Sequence, residues 1–243
     1  MFSQSACSVR CRLLRSSLRN LSFYTGTAML TKKKIQSVLA ALKAAYPSPK
    51  PELEFSSPFE LLIATMLSAQ TTDKQVNRCT RVLFPVYHTP EAFSALREDE
   101  LFPYIKTCGL YQTKGRNIIA TSRILCLEYG GEVPRERDSL VKLPGVGRKT
   151  ANVVISNAFH VPAIAVDTHV FRVANRIGLA DARDVLRTEQ DLMKNIPEQD
   201  WGDAHHWLIF HGRRVCAARN PQCAACCIQA DCEHYAAVHM NNP

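Results

Sequence analysis

The 243-residue sequence lacks any apolar run approaching the ~20 residues needed to cross a membrane. The densest apolar stretch, residues 61–67, is soon followed by Gln70 and Asp73. An apolar signal-peptide core is missing as well, which argues against export to an oxidising compartment. These absences predict a protein without a membrane partner. A hydrophobic content of 46% is still enough to form a globular core.

Strict alternation of apolar and polar residues, which is typical of half-buried strands, is almost absent. Residues 161–166 form the only plausible strand, and Pro162 argues against it. Internal repeats and low-complexity segments are missing too. Apolar residues instead recur at helical spacing in segments joined by short loops. The sequence therefore predicts an all-α fold and argues against a Rossmann-type nucleotide fold.

Acidic residues are outnumbered, and the N-terminal segment has none. The chain holds 30 Lys and Arg against 22 Asp and Glu, a formal charge of +8 that favours a polyanionic partner. Residues 1–29 contain four arginines and six serines, a composition typical of a mitochondrial transit peptide. The alternative is that translation starts at Met29, so that the preceding residues have no function. In either case we expect this leader to be disordered.

The segment from Leu143 to Ala151, with the sequence LPGVGRKTA, predicts a helical hairpin. A short helix over residues 139–143 should end at Pro144 and Gly145, because proline removes an amide donor and glycine allows positive φ. A second helix is predicted over residues 148–158. The turn between them should leave backbone N–H groups pointing outward, which makes an anion site. On DNA that anion is a backbone phosphate.

Lys149, directly after the hairpin, admits two interpretations. It lies in the first turn of the second helix and beside Arg148, and both influences disfavour its ammonium form. A neutral amine held next to a phosphodiester can attack a sugar carbon and form a Schiff base. Alternatively, Lys149 is one more phosphate-binding lysine in a non-catalytic hairpin.

Asp167 lies eighteen residues beyond Lys149, in the sequence Val166-Asp167-Thr168-His169-Val170. Its simplest role is to cap the helix that follows. An amine attacking a sugar also needs a negative group near the developing positive charge. Paired with Lys149, Asp167 is therefore predicted to serve both roles, whereas His169 is expected to be structural.

Five of the ten cysteines crowd into one C-terminal loop. Four of them have the spacing C-x6-C-x2-C-x5-C and leave Cys227 over; they are Cys216, Cys223, Cys226 and Cys232. Four thiolates in seventeen residues can surround one metal centre. Structural zinc more often uses two C-x2-C pairs, and only one is present, so a [4Fe–4S] cluster is the preferred cofactor.

Taken together, the hairpin, the aspartate segment and the cysteine loop resemble the endonuclease III family of bifunctional DNA glycosylases and AP lyases. The likeness extends from about Thr31 to Tyr235 and includes the sequences FSSPFELLIA at residues 55–64 and LSAQ at residues 67–70. The resemblance implies a two-domain helix-hairpin-helix DNA glycosylase fold. Residues 51–161 would form a six-helix domain, and residues 30–50 with 162–243 a discontinuous iron–sulfur domain.

The resemblance also implies roles for single residues. Lys149 matches the Schiff-base nucleophile and Asp167 the catalytic carboxylate. Gln70 matches the residue that fills the gap left by a flipped nucleotide, and Leu110 the wedge in the opposite strand. The remaining expected DNA contacts come from the hairpin and the cysteine loop; they are Gly145, Val146, Gly147, Arg148 and Arg219. Since Arg219 is the only basic residue between Cys216 and Cys223, Arg213 and Arg214 are alternative sources of phosphate contacts.

The implied activity is removal of oxidised pyrimidines from duplex DNA followed by β-elimination at the abasic site. The expected partner is double-stranded DNA carrying either lesion, bound by a monomer in a bacterial cytoplasm or, with a genuine transit peptide, in mitochondria or the nucleus. One alternative is an adenine-DNA glycosylase, which would lack Lys149 and place an acid within residues 61–69, where none occurs. Another is a non-catalytic iron–sulfur DNA-binding protein.

Overall fold

The computed structural model describes residues 29–240, so the predicted leader over residues 1–28 lies outside the described residues. Within them the chain forms twelve α-helices, three short 3₁₀ turns and no β-strand, which confirms the all-α prediction. The helices are α1 Lys32–Ala45, α2 Pro58–Leu67, α3 Asp73–Leu83, α4 Pro90–Ser94, α5 Glu98–Ile105, α6 Tyr111–Glu128, α7 Arg137–Leu140, α8 Arg148–Phe159, α9 Thr168–Ile177, α10 Val185–Asn195, α11 Trp201–Arg214 and α12 Glu233–Met240.

Side-chain caps decide where several helices begin. Thr31, Ser57, Thr72 and Thr89 each accept a hydrogen bond from a backbone N–H of the helix that follows. Helix α6 differs, because it begins at Tyr111 without such a cap. Leu110 precedes it in the left-handed conformation, with φ of 58° and no side-chain cap. Between residues 29 and 240, no helix is both long and apolar enough to cross a membrane.

The buried apolar side chains form two separate clusters. The first is built on helices α2 to α8 and includes Phe93 and Leu140. The second joins α1 to helices α9, α10 and α11 and includes Leu42 and Trp207. Each fully buried leucine or phenylalanine contributes about 1.5–3 kcal/mol through removal of its surface from water. On the basis of these two cores we propose the domain division expected from the sequence, residues 51–161 against 30–50 with 162–243.

Candidate active site and DNA-binding surface

The predicted hairpin is the turn between α7 and α8. Gly145 adopts φ of 77°, and a Cβ at this position would lie 2.7 Å from Nδ2 of Asn117. The N–H of Val146 donates to the carbonyl oxygen of Leu143 at 3.1 Å, and the Val146 side chain is buried in the first core. Not every hairpin amide points outward as expected, because the Val146 amide closes the turn; a contact between Val146 and DNA stays a prediction. Val146 shapes the hairpin from inside.

The open donors of the hairpin lie on the α8 side. The first helical hydrogen bond of α8 runs from the N–H of Ala151 to the carbonyl oxygen of Gly147, at 2.9 Å. The amides of Arg148, Lys149 and Thr150 precede this bond and have no partner within the helix. A Cβ on Gly147 would meet no heavy atom within 4 Å, so the surface over these amides is open. An anion can approach the positive end of α8 at this point.

The Arg148 guanidinium is already engaged by a buried carboxylate. Its Nε and Nη2 donate to the two carboxylate oxygens of Glu189 at 2.7 and 2.8 Å. Glu189 belongs to α10, is 2% exposed, and also accepts from Nδ2 of Asn152 at 3.1 Å. Hydrogen bonding to Glu189 raises the pKa of Arg148. Arg148 thus ties α8 to α10 across the boundary between the two cores, and any phosphate contact from it competes with Glu189.

Lys149 and Asp167 line the same cleft. The Asp167 carboxylate caps α9, since its Oδ1 accepts from the N–H groups of His169 and Val170, both at 2.8 Å. The predicted capping role is therefore confirmed. Lys149 is exposed at the mouth, in the first turn of α8. The structure thus brings the predicted nucleophile and carboxylate to one cavity.

Two buried histidines of α11 form part of the cleft wall. Nδ1 of His205 donates to the carbonyl oxygen of Ala165 at 2.6 Å, and Nε2 of His206 lies 3.0 Å from Oδ1 of Asn157. Burial lowers the pKa of His205 to about 4 and that of His206 to about 3. Both rings are neutral near pH 7, so they add no positive charge beside Asp167. No local sequence signal reveals their position, because it depends on how α11 packs against α8 and α9.

Gln70 and Leu110 project from neighbouring turns. Both adopt the left-handed conformation, with φ of 54° and 58°, and Leu110 is 63% exposed. A Cβ on Gly109 would lie 3.5 Å from the carbonyl oxygen of Gln70, so the two turns are close together. The structure thus places an exposed leucine and a glutamine beside each other on two left-handed turns.

The four predicted cysteine ligands line one pocket of the C-terminal loop. Nη1 of Arg176 lies 3.6 Å from Sγ of Cys216, and Nε2 of His211 lies 3.5 Å from Sγ of Cys226. Cys227, the cysteine that the spacing leaves over, is exposed. Across residues 29–240, no group of three His, Cys, Asp or Glu side chains is gathered closely enough to hold a single metal ion.

The arginines in and beside the cysteine loop differ in how free their side chains are to bind a phosphate. Arg219 is exposed, as expected for a phosphate contact. Arg213 donates to Glu52 and to Asp73, so it links α11 to the first core. The Arg214 guanidinium lies over the ring of Phe210, 4.8 Å from its centroid. Arg213 and Arg214 therefore have intramolecular partners that would compete with phosphate.

Comparison with known proteins places this arrangement in a family. The family described as HhH-GPD superfamily base excision DNA repair protein matches residues 63–198. Endonuclease III from Haemophilus influenzae and from Escherichia coli K12 are each 51% identical to the chain over 205 residues, covering 84% of this chain and 97% of the relative. A solved structure of a trapped covalent intermediate between endonuclease III and DNA aligns with a TM-score of 0.82 and 49% identity, over 87% of this chain and 100% of the other.

The helical hairpin, the two cores and the family match define a DNA repair protein of the HhH-GPD superfamily. Within that superfamily the chain belongs to the endonuclease III family. The resemblance found in the sequence motifs is thereby confirmed.

Proposed function

We propose that this protein is a base-excision repair enzyme that removes oxidised pyrimidines from duplex DNA and cleaves the resulting abasic site by β-elimination. The observation that carries the proposal is that Lys149 and Asp167 line one cleft directly beside the open amides of α8. The relationship to endonuclease III, one member of which has been trapped covalently on DNA, supports the same chemistry.

In the proposed reaction the neutral amine of Lys149 attacks C1′ of the damaged nucleotide. The C1′–N bond to lysine forms while the bond to the base breaks, and the base leaves with the bonding electron pair and takes up a proton. The Asp167 carboxylate stabilises the positive charge that develops on the sugar. Opening of the sugar ring then gives an imine between C1′ and Lys149. Loss of a C2′ proton expels the 3′ phosphate by β-elimination, and water finally hydrolyses the imine to release Lys149.

DNA would be held by three surfaces around this cleft. The amides beside Gly147 bind a backbone phosphate, and exposed Arg219 binds another from the cysteine loop. Gln70 and Leu110 enter the duplex from their adjacent turns and occupy the space left by the extruded nucleotide. Extrusion costs a few kcal/mol and is easiest at a damaged, poorly stacked base.

The cysteine loop is proposed to hold a [4Fe–4S] cluster through Cys216, Cys223, Cys226 and Cys232. All four thiols line one cavity, and each ligand of such a cluster binds a different iron, so they need not converge on a single point. When bound, the cluster supplies a rigid centre for the loop that carries Arg219, without redox chemistry in the reaction. Iron and sulfide analysis of the purified protein tests this assignment.

Borohydride trapping tests the proposed reaction. Borohydride should reduce the imine between the protein and an abasic duplex to a stable covalent complex. Lys149→Ala should abolish that complex while largely retaining DNA binding. Lys142→Ala, which removes another exposed lysine seven residues earlier, is the matched control and should still trap. Trapping that persists in Lys149→Ala would refute Lys149 as the nucleophile, and absence of trapping in the wild type would refute the lyase.

A further inference from the structure

Lys114 is a buried lysine that the proposed reaction does not use. It lies in the first turn of α6 and is only 6% exposed. Burial lowers the pKa of Lys114, because removing an ammonium group from water disfavours its charged form. The nearest titratable neighbours are the thiols of Cys79 and Cys108. A lysine in such a place is costly unless its hydrogen bonds compensate.

The hydrogen bonds of Lys114 reach across to the end of another helix. Its Nζ donates to the carbonyl oxygen of Leu67 at 2.7 Å and to Oγ1 of Thr71 at 3.0 Å. Leu67 is the last residue of α2, and the final carbonyls of a helix lack intrahelical partners and carry partial negative charge. The ammonium group therefore caps the C-terminus of α2.

Both contacts flank the turn that carries Gln70, while Lys114 itself follows the turn that carries Leu110. The N–H of Lys114 donates to the carbonyl oxygen of Leu110 at 3.0 Å, which closes the first turn of α6. The Lys114 side chain thus links Leu67 and Thr71, on either side of Gln70, to the start of α6 directly after Leu110. Lys114 is the direct polar connection between the two turns.

We infer that Lys114 is a positioning residue that holds the Gln70 and Leu110 turns at a fixed separation, so that both side chains enter the opened duplex together. The inference rests on the proposed function and extends it to the opening of the duplex. Two inserting groups held in advance lose less freedom on binding, which favours the extruded state. Lys149 and Asp167 are supported separately, by α8 and α9.

The variant Lys114→Met, in the full chain with its cofactor, separates duplex opening from chemistry. Single-turnover cleavage is measured on an abasic duplex and on the same abasic strand without its complement. We expect at least a tenfold loss on the duplex and less than a twofold change on the single strand, which needs no base pair opened. A 2-aminopurine opposite the abasic site should also lose the fluorescence rise that follows insertion of Leu110.

Two further variants keep the test decisive. Thr71→Val removes one acceptor but leaves the contact with Leu67, and should give a smaller, still duplex-specific loss. Lys43→Met removes the same charge from an exposed site on α1, where Lys43 pairs with Asp200 at 3.7 Å, and should change neither rate. Equal losses on duplex and single strand, or a normal fluorescence rise, would overturn the positioning role. Failure of the wild type to trap on borohydride reduction would instead refute the proposed function itself.

Discussion

Replacing Gly147 by alanine should weaken DNA binding without destabilising the fold. Gly147 has φ of −94° and ψ of 175°, which any residue adopts, and its added Cβ would meet no protein atom within 4 Å. Gly→Ala at such a compatible position stabilises a protein by about 0.4–1 kcal/mol, chiefly by restricting the unfolded chain. The methyl group would, however, lie at the start of α8, where the proposed phosphate approaches. Loss of one amide–phosphate hydrogen bond, worth about 1.5–3 kcal/mol, weakens binding about 10- to 100-fold.

Gly145→Ala is the matched comparison, because it should act through the fold. Its φ of 77° is unfavourable for alanine, and the new Cβ would lie 2.7 Å from Nδ2 and 3.0 Å from Cβ of Asn117. Backbone strain and crowding together should cost about 1–3 kcal/mol of stability. The same glycine-to-alanine change at two nearby positions therefore tests two different things: Gly147→Ala tests phosphate binding, and Gly145→Ala tests the stability of the hairpin.

Thermal unfolding and fluorescence anisotropy measure the two effects. Anisotropy uses a duplex with a non-cleavable abasic analogue at one fixed salt concentration, since phosphate contacts are salt-dependent. Gly147→Ala should unfold at or slightly above the wild-type temperature and bind more weakly, whereas Gly145→Ala should unfold earlier. Unchanged affinity in Gly147→Ala would refute phosphate binding at the start of α8. Equal destabilisation of both variants would refute the geometry assigned to the hairpin.

Three further predictions concern groups around the cleft. His205 and His206 have folded pKa values of about 4 and 3, so the unfolded chain binds protons first as the pH falls. Burial lowers the pKa of His211 to about 4 as well. Lowering the pH from 7 to 5.5 should therefore cost about 1 kcal/mol for each of these histidines, and His206→Gln should lose less stability than the wild type over this range by about one such share, as unfolding midpoints at the two pH values would show. Glu189→Gln should destabilise the protein by about 1–2 kcal/mol, because Arg148 loses its ionised partner. The loss stays this small because the Arg148 side chain can turn towards water. A denaturation midpoint equal to that of the wild type would contradict this prediction. Asp167→Asn should keep the α9 cap and the wild-type unfolding temperature but slow turnover. Asp167→Ala should also lose about 1 kcal/mol of stability, because it removes the cap. Wild-type turnover in Asp167→Asn would exclude a role for the charge.

Much of the fold could be predicted because its signals are local. Thr31, Ser57 and Thr89 begin their helices through local contacts, since each hydroxyl accepts from an amide only three residues ahead. The start of α6 has no such local signal, because Leu110, which precedes it, carries no capping side chain. Its left-handed conformation is held by neighbouring structure and has no signature in composition.

The site was predictable only where one short segment carries the chemistry. Lys149 follows its hairpin directly, and Asp167 lies on the cap of the next helix, so both stood out in the sequence. The partner of Arg148 did not, because Glu189 is 41 residues away on another helix. The inward amide of Val146 was also missed, since its direction depends on how the turn closes.

The sequence by itself determined most of the helices, the helical hairpin, the cysteine spacing and the family, because neighbours along the chain specify all of these. Only the tertiary structure decided which charges are free and which are paired, and which side chains meet in the cleft. The physical reason is that packing two cores together brings distant residues into contact. Lys114 shows this most clearly, since its side-chain nitrogen donates to the last residue of a helix that ended 47 residues earlier and to Thr71 in the turn that follows it.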